Sequence, residues 1–68
     1  MDPNEPIIQL DQFMKLQGMV STGGQAKRVI QGGEVLLNGL VETRRKKKLH
    51  VGDEVTFNGE TIMVEVEA

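Results

Sequence analysis

Sixty-eight residues with a net charge of −2 and no cysteine make one small domain, which at this length buries only about 60% of the surface its unfolded chain exposes. That size leaves no room for a catalytic domain beside a binding domain, and without cysteine there is no disulfide framework, Cys-ligated zinc or thiol nucleophile. No apolar stretch approaches the roughly 20 residues that span a bilayer.

Residues 1–6 hold two prolines and two acids and read as a disordered lead-in, with 7–68 as the single folded domain. The acidic start lacks the cationic region of a signal peptide, so the expected compartment is the cytoplasm. Ile7-Ile8-Gln9-Leu10 reads as a short strand or an extended approach to the first helix. From Leu10 the apolar residues fall at 10, 13, 14, 16, 19 and 20, close to a helical stripe. Asp11 is the expected N-cap and Gly18 the expected end, which predicts helix one over 11–18.

Thr22-Gly23-Gly24-Gln25 fits a capping box, in which a threonine oxygen and a glutamine side chain satisfy free backbone N–H groups reciprocally. Ser21 is the alternative cap. Ala26, Val29 and Ile30 then share one face, and Gly32-Gly33 supplies a left-handed stop, so helix two is expected over 23–31. After Gly33 the period becomes strand-like. Glu34–Leu37 and Leu40–Thr43 flank Asn38-Gly39, a favoured two-residue hairpin turn. The same grammar recurs as Glu54–Phe57, Asn58-Gly59 and Thr61–Val66, with Val51-Gly52-Asp53 as a further turn. In the last strand Ile62, Val64 and Val66 should face one way, and Met63 and Glu65 the other. Two short helices packed on a small antiparallel or mixed sheet of four or five strands, an α+β domain, is the expected architecture.

Between the two hairpins lies Arg44-Arg45-Lys46-Lys47-Lys48, which holds five of the eight cations; without it three cations face ten carboxylates. A chain acidic nearly everywhere and strongly basic at one spot suits a polyanion on one face. As a strand, the run would aim at least two cations into the core, at high cost without partners. Residues 45–48 are therefore expected in a loop or at a sheet edge, with Leu49 and Val51 returning to the core. Arginine can fork two donors onto one phosphate, while lysine is a mobile point charge. Arg44 and Arg45 are the candidates for defined contacts, and Lys46, Lys47 and Lys48 for general attraction.

Joint spacing carries a resemblance. Ser21, Gln25-Ala26-Lys27-Arg28, Ile30, Gly33, Val35 and Leu37-Asn38-Gly39 resemble the RNA-binding module of small-subunit ribosomal protein four, the S-four or alpha-L domain. The continuation Val41-Glu42-Thr43-Arg44-Arg45-Lys46-Lys47-Lys48-Leu49 with Gly52 is similar to its small stand-alone bacterial members. The resemblance covers about residues 10–66 and implies the alpha-L fold, with RNA bound by helix two and the loops facing it. It nominates Ser21, Lys27, Arg28, Asn38, Arg44 and Arg45, with Lys46 to Lys48 as flanking phosphate contacts. Many relatives fuse this domain to a pseudouridine synthase, a tRNA synthetase or a methyltransferase, and no such activity is expected here.

Other residues read as structural. Phe13 and Phe57, the only aromatics, fall in apolar patterns and are expected in the core. That leaves no exposed ring on which to stack single-stranded bases, so structured RNA is the better partner. His50, the sole histidine, lacks companions for a metal site and is expected on the outer side of a strand start. Asp53 and Glu54 read as turn and edge residues, and Met14, Met19 and Met63 as gap-fillers or edge residues. The backbone N–H groups of Thr22, Gly23 and Gly24 form a possible phosphate site that the capping box partly consumes.

The expected function is a non-catalytic module, with no cofactor, that clamps ribosomal or transfer RNA, in ribosome assembly or translation. Helix two and the basic loop would form the two halves of the clamp, while Asp2, Glu5, Glu65 and Glu67 repel wrong orientations. The alternative is an adaptor whose basic loop docks on an acidic protein partner. Membrane binding is disfavoured, because no amphipathic anchor accompanies the charge.

Overall fold

The computed structural model describes residues 5–65. The expected lead-in falls mostly outside these residues, as do Asp2, Val66 and Glu67. The elements run β1 (Ile8–Gln9), α1 (Leu10–Leu16), α2 (Gly23–Gln31), β2 (Val35–Leu37), β3 (Leu40–Val41), β4 (Lys48–Leu49), β5 (Glu54–Phe57) and β6 (Glu60–Met63). The α+β expectation holds, with six short strands where four or five were expected. They form two sheets, β1-β4 and β3-β2-β5-β6, and among the described residues every pairing is antiparallel rather than mixed.

Helix α1 begins one residue earlier than expected, and Asp11 is not its cap. Gln9 occupies the cap position with extended backbone. The first free helix donors find partners elsewhere in the chain: Leu10 N–H donates to the Lys47 carbonyl at 2.8 Å and Asp11 N–H to that of Arg45 at 3.0 Å. The basic run thus supplies the acceptors that a helix start requires. The helix ends at Leu16 because Gly18 turns left-handed at φ +75°. Leu10, Phe13 and Met14 are buried, whereas Leu16, assigned to the same stripe, is 74% exposed.

Helix α2 spans the residues expected of it, and Ala26, Val29 and Ile30 are its buried face. Thr22 Oγ1 accepts from Gln25 N–H at 3.0 Å. The reciprocal bond is displaced by one residue, since Gln25 Oε1 accepts from Ser21 N–H at 2.9 Å. The stop belongs to Gly33 alone, at φ +79°, because Gly32 keeps helical backbone.

Both Asn-Gly turns form as expected. Asn38 and Gly39 take φ +53° and +84°, and Asn58 and Gly59 take +54° and +80°, the pair of left-handed residues that a type I′ turn requires. Strand β2 joins the hairpins by pairing with β5 at Val35↔Phe57 and Leu37↔Val55. The strands are shorter than expected: Glu34 and Glu42-Thr43 lie outside the first hairpin, and β6 ends at Met63. The alternation past that end holds, with Val64 buried, Ile62 half-buried, and Met63 and Glu65 exposed. Leu10, Met14, Ile30, Val35, Leu49 and Val55 meet between helices and sheets as the fully buried core. Phe13 is buried, and Phe57 packs against the core half-buried. Val51, expected to return to the core, is 46% exposed.

Candidate nucleic-acid interface

Residues 44–47 form a turn closed by Lys47 N–H on the Arg44 carbonyl at 3.1 Å, and Lys48-Leu49 then pairs with β1. The run is therefore a loop passing into a sheet edge, as expected. Two acids determine how its side chains are used. Asp11, buried, accepts from Gln12 N–H at 2.8 Å and holds the Lys46 ammonium at 3.0 Å. Glu42 takes both the Nε of Arg44 at 2.9 Å and its Nη2 at 3.2 Å, and also its backbone N–H at 3.0 Å. The Arg44 side-chain hydrogen bond is the main reason that the Glu42 carboxyl titrates below its ordinary 4.5; burial opposes the shift, and the charges of Arg44 and Lys47 add to it. The same contact raises the Arg44 guanidinium.

Among the described residues no ion pair engages Arg45, Lys47 or Lys48. The turn thus carries three cations outside any ion pair, Lys48 exposed and Arg45 and Lys47 half-buried, together with one lysine tied to a buried acid and one arginine held by a fork.

Lys27 and Arg28 are exposed on α2 beside its buried face, and Ser21 is exposed just before its cap. No hydrogen bond or ion pair joins these residues to the basic turn among the described residues. Helix α1 links them instead. Its first turn carries the basic run, and four residues on from Asp11, about 6 Å along the axis and on the same side, stands Lys15. A β-carbon placed on Gly23 would lie 3.9 Å from Lys15 Nζ, so this amine overhangs the start of α2. Lys15 was not nominated from sequence. Its i, i+4 spacing from Asp11 was visible, but the packing of α1 on α2 was not.

Asn38, nominated as an RNA contact, has its side chain occupied by the fold. Its Nδ2 donates to Asp53 Oδ1 at 3.1 Å and its Oδ1 accepts from Glu54 N–H at 2.9 Å. Asp53 Oδ2 also accepts from His50 N–H at 2.8 Å. Asp53 is thus a turn residue, as expected, and the His50 ring lies 3.8 Å from it.

Two helices on antiparallel strands, with a basic turn docked on the first helix, define a small α+β domain that carries a cationic segment at a sheet edge. Residues 1–65 match the S4 domain, and the chain belongs to that family. YbcJ of Escherichia coli, whose name reads "putative RNA-binding protein", is 39% identical over 59 residues, covering 87% of this chain and 84% of that one. RlbA of Bacillus subtilis, named as a probable ribosome maturation protein, is 43% identical over 53 residues, covering 78% and 75%. The solution structure of YbcJ, described as revealing an alpha-L motif involved in RNA binding, superimposes with a TM-score of 0.68 at 36% identity, over 93% of this chain and 80% of that one. Heat shock protein 15 of Vibrio cholerae shares the fold, with a TM-score of 0.76 at 24% identity over 94% and 67%.

Proposed function

We propose that this chain is a non-catalytic RNA-binding module, acting in the cytoplasm on structured ribosomal or transfer RNA during ribosome assembly or maturation. The observation that carries this reading is the basic turn on α1. Its backbone is fixed by hydrogen bonds from Leu10 and Asp11, and three of its five cations have no acidic partner among the described residues. A solvated loop kept for solubility does not need its backbone anchored. RNA binding by YbcJ and ribosome maturation by RlbA, as those proteins are named, support the same reading. Structured RNA is favoured over single strands because Phe13 is buried and Phe57 packs half-buried against the core, which leaves no fully exposed ring for stacking.

Arg44, Arg45, Lys47 and Lys48, with Lys15, Lys27 and Arg28, supply phosphate contacts, and Ser21 supplies a hydroxyl before α2. Neutralising residues 44–48 and purifying the chain from cells after crosslinking tests the reading. RNA recovered with the wild-type chain should be lost with the variant. Protein partners that survive ribonuclease and depend on the same residues would favour an adaptor.

A further inference from the structure

We infer that Glu42 is a positioning residue that presents the outer edge of the Arg44 guanidinium to a single phosphate, making Arg44 the contact that orients RNA on this protein. The inference rests on the RNA-binding reading and goes beyond it. Glu42 is itself anchored, because its backbone N–H donates to the Val35 carbonyl at 3.0 Å. Its side chain is only 12% exposed, while that of Arg44 is 71% exposed. A covered carboxylate therefore grips an uncovered guanidinium along the Nε–Nη2 edge. A guanidinium carries five N–H donors in a rigid plane. With one edge filled, the Nη1–Nη2 edge points away from Glu42 and matches a phosphate bidentately.

Arg44 is also held through its backbone, its N–H by Glu42 and its carbonyl by Lys47 N–H at 3.1 Å. No other cation of the run is fixed on both its main chain and its side chain by a fork. Pre-ordering matters because each mobile side chain that binding immobilises costs affinity. Glu42 removes that cost for Arg44, although its negative charge opposes RNA at long range. Charge alone and positioning therefore predict opposite signs when Glu42 is changed.

Fluorescence anisotropy with bulk ribosomal RNA and with polyuridylate, at one salt concentration, separates the two. Glu42→Gln should weaken ribosomal RNA binding about tenfold, the loss of one charge-assisted contact, and leave polyuridylate binding equal or tighter. Glu42→Asp and Arg44→Lys conserve charge but shorten or abolish the fork, and each should weaken ribosomal RNA binding to a similar degree. Glu42→Gln added to Arg44→Lys should cost little more than Arg44→Lys alone. Tighter ribosomal RNA binding by Glu42→Gln, or wild-type affinity in both charge-conserving variants, would overturn the inference while leaving the RNA reading intact. A wild-type chain that binds neither RNA overturns both.

Discussion

Asp11 is the one charged residue buried among the described residues, and Lys46 is its ion partner. Truncating the lysine leaves a covered carboxylate without its cation, whereas removing both charges does not. Lys46→Ala should therefore lower stability by about 1–2 kcal/mol, less than a fully buried pair because the lysine is half in water. A domain of this size would show that loss as about 4–8 °C in midpoint per kcal/mol. Adding Asp11→Asn should restore part of it in thermal unfolding, and unchanged midpoints in both variants would contradict the assignment. Glu42 gives a pH-dependent counterpart. Its folded pKa lies below 4.5, so the pair's stabilisation is fully present above the ordinary carboxylate range and is lost as pH falls through the lower folded value. The stability difference between wild type and Glu42→Gln should be constant at neutral pH and vanish in acid, measured by denaturant unfolding across pH.

Elements whose signals are local were legible in the sequence. The two Asn-Gly turns need left-handed backbone at consecutive residues, and few dipeptides accept it. The start of α2 was legible for a similar reason, since its threonine cap acts three residues away. The start of α1 was not, because its cap acceptors are carbonyls more than thirty residues downstream. The same long-range packing hid Lys15 and gave Asn38 a second duty. Asn38 braces the first hairpin turn against the Asp53 turn while keeping φ +53°. Asn38→Gly keeps the backbone and loses the brace; Asn38→Ala loses both and should cost about 1 kcal/mol more. Equal midpoints for the two variants would show that the left-handed backbone carries no strain here. RNA affinity of folded Asn38→Gly should match wild type if the side chain serves the fold alone.

At the scale of the molecule, a net charge of −2 looks wrong for a partner of RNA. Dimensions resolve this. The described chain extends 32 × 22 × 19 Å, whereas charges in physiological salt are screened beyond about 8 Å. On the proposed reading, an RNA strand at the basic turn would sense Arg45, Lys47, Lys48 and Lys15 more strongly than carboxylates lying beyond that distance from it. Glu54 and Glu60, on β5 and β6, are exposed in the sheet that does not carry the basic run. The concentration of cations in one segment was readable from the spacing of charges along the chain. The division of the run into held and uncommitted cations was not, because Asp11 and Glu42 approach it from separate elements.

The most direct test of the central claim, that a fixed basic turn binds RNA through phosphates, is a salt titration of ribosomal RNA affinity. With about five phosphates neutralised, the logarithm of affinity should fall against the logarithm of salt with a slope of roughly −4 to −5. Neutralising Arg45, Lys47 and Lys48 together should make that slope shallower by roughly 2 to 3. A nearly flat titration for the wild-type chain, or a slope unchanged in the triple variant, would contradict it.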